Sequence, residues 1–268
     1  VHLIALCALF AAQDGAPLAF TRFAYEDFDR GGLYTATVTC RRGATEVELV
    51  SVVHIADEAY YREIQRELAS CDLVFFELVA GAGGESTGAL SALQQAAGQA
   101  LHLVFQLEAL DYHTPGFVHS DLSWDEIRGL LGGKPLSQPP QAKLLERFLP
   151  RPKPEQLPQN DFFADNPEMR RALKVFLGQL LGDIPATLAL LNLENPDERT
   201  DILISARNRR AMDILAPHLD RPGRLALLWG AAHMPDFARR LARLGFEPAG
   251  ARWHLAWKIG PIREQRWF

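Results

Sequence analysis

Four side chains in this sequence combine reactive chemistry with an informative context. His54 and His233 each follow an apolar run and precede a segment of helical period, in Glu48-Leu-Val-Ser-Val-Val-His54-Ile-Ala-Asp57 and Leu225-Ala-Leu-Leu-Trp-Gly-Ala-Ala-His233-Met-Pro-Asp236. The repeated unit is strand, histidine, aspartate three residues on, helix. Either histidine alone would be an ordinary core or turn residue, but the repetition invites one shared site. Glu77 stands in Leu73-Val-Phe-Phe-Glu-Leu-Val79, which has the character of a buried strand. A buried carboxylate needs a cation, a metal or a hydrogen-bond donor. Arg207, in Ile204-Ser-Ala-Arg-Asn-Arg-Arg-Ala-Met212, is one such cation, and of Arg207, Arg209 and Arg210 only one is expected to point inward.

Two imidazoles and a carboxylate at strand ends make an open site for a divalent transition metal, which could lower the pKa of a bound water and polarise a carbonyl. Without a metal, a histidine beside a glutamate serves as a general base. A purely structural alternative pairs Glu77 with an arginine such as Arg207. The residue types leave these alternatives open. Asp57 and Asp236 are read as helix N-caps. No G-x-S-x-G elbow is present, and the Gly81-Ala-Gly-Gly84 loop lacks P-loop spacing.

The elements that must position these groups follow from periodicity. Leu33–Cys40 and Thr45–Val53 read as a β-hairpin running into His54. A helix over about 58–70 has Tyr60, Ile64 and Leu68 on one stripe, and the Glu77 strand follows it. Strand, crossover helix and strand make a parallel βαβ unit, which puts His54 and Glu77 at the carboxyl ends of neighbouring strands, where open α/β sheets bind ligands. Residues 88–110 read as a helix, 117–123 as a short extended piece, and 124–132 as a helix capped by Ser123. Residues 133–160 are proline-rich, with one short helix near 141–149. Helical patterns cover 167–192 and 197–216. The strand before His233, a helix capped by Asp236 and closed by Gly245, and a last strand over 250–259 complete the chain. The expected fold is α/β: a central mixed sheet built from the N- and C-terminal segments, with an α-helical middle covering the site.

With 268 residues and 48% hydrophobic content the chain can bury a real core. Acidic and basic residues are interspersed around a net charge of −5, which argues against nucleic acid as a partner. Cys7, Cys40 and Cys71 are too few and too scattered for a disulfide framework or thiolate metal site, and Cys40 and Cys71 read as buried small hydrophobes. Leu3–Ala12 has the shape of a signal h-region, so residues 1–19 are read as a signal peptide and 20–268 as a single domain. That reading implies an exported protein, periplasmic or extracellular. The alternative is a buried terminal element of a cytoplasmic one. No other stretch approaches transmembrane length.

Ser51-Val-Val-His54, the Tyr60-Tyr61 helix, Asp72-Leu-Val-Phe-Phe-Glu77, Phe117-Val-His-Ser-Asp121-Leu-Ser, Arg207-Asn-Arg-Arg-Ala-Met212 and Gly230-Ala-Ala-His233 together resemble the TraB/PrgY/GumN family, relatives of the TIKI metalloproteases. The resemblance spans about residues 45 to 250. It implies an α/β fold in which His54, Glu77, Arg207 and His233 converge on one pocket. The TIKI relatives are manganese- or cobalt-dependent proteases, other members act in pheromone shutdown, and erythromycin esterase and haem-binding ChaN proteins are more distant cousins. Ser51 stands where the family usually has glycine. The expectation is a divalent-metal-dependent hydrolase of an amide or ester bond in a peptide. In it, His54, Glu77 and His233 hold metal (manganese or cobalt) or activated water, and Arg207 binds a carboxylate or a developing oxyanion. Two alternatives stand beside it: a catalytically silent protein that sequesters a peptide or cofactor in the same pocket, and a metal-free, histidine-based esterase acting on a peptide or small molecule.

Overall fold

The computed structural model describes residues 18–27, 30–79, 94–95, 97–133, 166–184 and 202–260. The signal-like stretch up to residue 17, Cys7, the Gly81–Gly84 loop and the short helix expected at 141–149 lie outside the described residues.

The β-branched alternation before His54 forms β2 (Gly31–Arg42) and β3 (Thr45–Val52), an antiparallel pair joined through Gly43, whose φ of 59° suits a residue without Cβ. An earlier strand, β1 (Thr21–Tyr25), pairs antiparallel with the start of β2. After β3 come the two-residue β4 (Ile55–Ala56) and α1 (Glu58–Leu68), which buries Tyr60, Tyr61, Ile64 and Leu68. The next strand, β5 (Leu73–Phe76), ends one residue before Glu77.

The helix expected over 88–110 does not run through its described part. It stops at His102, whose φ of 54° lies in the left-handed region, and Leu103 N–H closes the turn on the Gly98 carbonyl at 2.8 Å. Then β6 (Val104–Phe105) pairs with β4, and α2 (Gln106–Ala109) follows. That break sets Gln106 beside His54. Farther on are β7 (Phe117–His119) and α3 (Trp124–Leu130), whose Ser123–Glu126 capping box is formed in full.

Of the helical middle, α4 (Pro167–Gly182) is described, and it packs on β1, β2 and the last strand, with Gly178 and Gly182 set close against Phe23. A widened π-helical turn, Ile202–Ala206, leads straight into α5 (Arg207–Leu215), which approaches the sheet beside His233. The strand before His233 is β8 (Gly223–Gly230), followed by α6 (Met234–Arg243) and β9 (Glu247–Ile259).

The result is an α/β fold on a mixed seven-stranded sheet in the order β1-β2-β3-β8-β5-β7, with β9 on the other edge of β2. The order corrects one expectation, because β3 and β5 are not neighbours. Parallel β8 lies between them, pairing Val52 with Gly230 and Phe76 with Leu228. Its residues explain the central place, since they are apolar toward both faces. Ala226 and Leu228 join the core under α1 with Val50, Val74 and Ile64, while Leu225, Leu227 and Trp229 join that under α5 and α6 with Leu49, Phe75 and Phe237.

Both expected aspartate caps are also corrected. Asp57 occupies the N-cap position of α1, but its carboxylate makes no cap bond. It accepts the Lys258 backbone N–H at 2.6 Å and faces Lys174 at 3.6 Å, so it tethers β9 instead. Asp236 lies in the first turn of α6, bound to Asn208, Arg239 and Arg240. Among the described residues no helix is long and apolar enough to cross a membrane.

Candidate functional site

Parallel β3, β8 and β5 end together, and the residues just past their ends meet there. Tyr60 and Tyr61 of α1 hold the turn after β3 by donating to the Ser51 and Val53 carbonyls at 3.2 and 2.7 Å. Ser51 itself lies in regular β3 opposite Trp229, so this position needs no positive φ and a side chain is accommodated. His54 follows at the exposed mouth of the site. His233 is buried behind it, edge-on to Trp229 with ring centroids 5.0 Å apart.

Gly230 lies at the centre. Its backbone N–H donates to Glu77 Oε2 at 2.6 Å, and a Cβ built on it would be 3.1 Å from that oxygen and 3.9 Å from both His54 Nε2 and His233 Cδ2. Glu77 and both histidines therefore border the small space that a side chain at 230 would fill. Glu77 Oε1 accepts from Arg207 Nη2 at 2.6 Å and lies 3.6 Å from His233 Nε2. All four expected site residues thus come together. Of the three clustered arginines only Arg207 is buried, while Arg209 and Arg210 are exposed.

Sequence reasoning did not place Asp121 in the site, yet it is the main partner of Arg207. It is buried, and its two oxygens accept from Arg207 Nε and Nη2 at 2.9 and 2.6 Å. The guanidinium also lies over the Trp229 ring, 5.4 Å from its centroid. Such a fork holds Arg207 rigidly, and among the described residues Nη1 has one contact, His233 Nε2 at 3.5 Å. Asn208 and Gln106 were missed as well. Asn208 Oδ1 faces His233 Nδ1 at 2.6 Å, and Gln106 Oε1 faces His54 Nδ1 at 3.2 Å. The signal for Asp121 was present in the sequence, a carboxylate two residues past a short strand, as Glu77 is at the end of its own.

Electrostatics follow from burial and these contacts. Burial alone would push the Glu77 carboxyl up, but Arg207, His233, His54 and the Gly230 N–H outweigh it and hold Glu77 well below the usual carboxylate range. Burial, with Arg207 and His54 nearby, pulls His233 down to about 4, against the opposing pull of Glu77. His233 is therefore neutral at neutral pH. Burial would lower Arg207, but Glu77 and Asp121 overcome it and raise it further. Among the described residues one guanidinium is shared between these two carboxylates, which leaves a surplus negative charge.

The donor chemistry fits a divalent transition metal: two imidazoles, a carboxylate, a surplus negative charge and a cradle free of Cβ. The spacing is wider than a closed shell. Among the described residues no group of three or more His, Cys, Asp or Glu side chains is placed to hold a metal ion. Glu77 meets the Arg207 guanidinium instead, the contact that the structural alternative foresaw. Cys40 and Cys71 are free; Cys40 is buried as expected while Cys71 is only partly so, and burial pushes both thiols up to about 11. No family model, curated protein or solved structure matches this chain.

Proposed function

We propose that this protein is a hydrolase of an amide or ester bond in a peptide, working at the His54–Glu77–Arg207–His233 cluster, with a divalent metal such as manganese or cobalt held by His54, Glu77 and His233. The observation that supports it is the convergence of two imidazoles and an ionised glutamate on the side-chain-free space at Gly230. Two bases and a surplus negative charge facing one small space favour a cation there. A bound divalent ion would supply a nucleophilic water at neutral pH and polarise the scissile carbonyl.

The chain's own residues divide the remaining work. His54, at the exposed mouth, is the first group an entering substrate meets. Glu77 remains ionised and accepts a proton only when the charge balance around it changes. Arg207, locked by Asp121, presents Nη1 without further rearrangement to an oxygen on which negative charge develops. Export belongs to the same proposal, as does the resemblance to the TraB/PrgY/GumN family.

One contact favours a second reading. Arg207 Nη2 at 2.6 Å already neutralises Glu77 Oε1, which suits a metal-free esterase with a histidine as base. A peptide library with added manganese or cobalt, assayed with and without chelator, separates the two. The metal-dependent reading expects cleavage that chelator abolishes and metal affinity that His233→Ala weakens. It fails if no peptide is cleaved and His233→Ala leaves metal affinity unchanged. Activity that survives chelator but not His54→Ala selects the metal-free reading.

A further inference from the structure

His54 and His233 are gripped in the same way. In each case one residue bearing a primary amide, from an element distant in sequence, holds both the ring and the backbone carbonyl of one histidine. Asn208 donates from Nδ2 to the His233 carbonyl at 3.2 Å and presents Oδ1 to His233 Nδ1 at 2.6 Å. Gln106 donates its backbone N–H to the His54 carbonyl at 2.8 Å and presents Oε1 to His54 Nδ1 at 3.2 Å. Both amides are buried, Asn208 at 0% and Gln106 at 3% exposure, which leaves little room for water to replace either grip.

Asn208 has only one workable orientation. Its Nδ2 meets two groups that can only accept, the His233 carbonyl and Asp236 Oδ2 at 2.9 Å, so Nδ2 is the amino end and Oδ1 faces the ring. Asp236 is itself anchored by Arg240 Nε at 2.6 Å and Arg239 Nη2 at 3.2 Å. An oxygen with no hydrogen of its own makes a hydrogen bond only to a protonated nitrogen. The proton of neutral His233 therefore sits on Nδ1, and Nε2 carries the lone pair, consistent with Arg207 Nη1 approaching it as a donor at 3.5 Å. On the other side, Gln106 Nε2 donates to Tyr112 Oη at 2.9 Å while Oε1 faces His54 Nδ1 at 3.2 Å.

We propose that Asn208 and Gln106 are paired positioning residues that hold His233 and His54 in the Nδ1–H form, so that the Nε2 lone pairs of both rings serve the space beside Gly230 and Glu77. The opposite tautomer would place an N–H at that space and remove a base and a metal donor together. An amide suits this task better than the carboxylate often found behind a histidine. It sets the direction of the ring without adding to the surplus negative charge of Glu77 and Asp121. The geometry stands apart from the hydrolase reading, and only its purpose rests on that reading, since metal binding and base catalysis both need a bare Nε2.

The test is a two-bond 1H–15N correlation spectrum of the metal-free full chain with 15N-labelled histidine, recorded near pH 8.5, about two units above the ordinary imidazole pKa. The wild type is expected to show a protonated Nδ1 and an unprotonated Nε2 on both His54 and His233. Asn208→Leu should shift His233 alone toward Nε2–H, and Gln106→Leu should shift His54 alone. An Nε2–H ring in the wild type, or a His233 pattern unmoved by Asn208→Leu, overturns the proposal. If Asn208→Leu does not fold, the wild-type and Gln106→Leu spectra still decide. Expected tautomers without peptide cleavage would sink the hydrolase reading and leave the positioning role standing. Cleavage with Nε2–H rings would do the reverse.

Discussion

Gly230 donates its backbone N–H to Glu77 Oε2 at 2.6 Å, and a Cβ on the same residue would come within 3.1 Å of that oxygen. The glycine thus both fixes the carboxylate and leaves the space beside it open. Its φ of −57° is available to any residue, so the requirement is steric and not conformational. Gly230→Ala is therefore expected to fold, with a loss on the order of 1–2 kcal/mol as Glu77 is pushed aside. Manganese or cobalt affinity should fall at least tenfold. Chemical denaturation and metal titration of the same preparation check both outcomes, and unchanged metal affinity would show that the space is not used.

Among the described residues Arg207 is the cation that Glu77 and Asp121 share, and all three side chains are nearly out of solvent. Replacing it with an apolar residue leaves the Glu77 and Asp121 carboxylates without the cation that both contact. Arg207→Met is expected to cost roughly 3–5 kcal/mol in unfolding free energy, the range for breaking a buried pair. Adding Asp121→Asn should recover part of that loss, because it removes one of the stranded charges. A double-mutant cycle by urea denaturation measures the coupling. Strictly additive losses would mean that Asp121 and Arg207 act independently.

Local pattern carried much of this architecture and little of its wiring. Strand patterning located β2 and β3, a continuous apolar run located β8, and the Tyr60–Leu68 stripe located α1, because each of these signals lies within the element's own few residues. The insertion of β8 between β3 and β5 was invisible to that logic, since it depends on pairing between distant segments. Asp57 and Asp236 show the same limit at the scale of one side chain. Both stand where a cap is expected, and both spend their carboxylates on distant partners, the Lys258 amide and Asn208. The histidines and Glu77 could be picked out because their chemistry conflicts with apolar surroundings. Asn208 and Gln106 carry no such conflict, and only the contacts to Nδ1 reveal them.

Two buried histidines should give the stability of this protein a maximum near pH 6.5. Burial would lower His254, but Glu67 at 3.1 Å from Nε2 and Glu63 at 2.7 Å from Nδ1 outweigh it and raise the imidazole above its ordinary 6.5. The folded state thus holds that proton more tightly than the unfolded chain. Its stabilisation is complete below about pH 6.5 and is lost as pH rises through the higher folded value. His233 acts with the opposite sign. Burial pulls it to about 4, so between about 6.5 and 4 the unfolded chain takes up a proton that the folded state refuses, and stability falls as pH drops. Unfolding free energies measured by urea denaturation across this range should therefore decline on both sides of about pH 6.5. His254→Gln should flatten the alkaline limb and His233→Asn the upper part of the acid limb, each leaving the other limb in place. An alkaline limb that persists in His254→Gln would show that the bonds to Glu63 and Glu67 do not hold a proton on the ring.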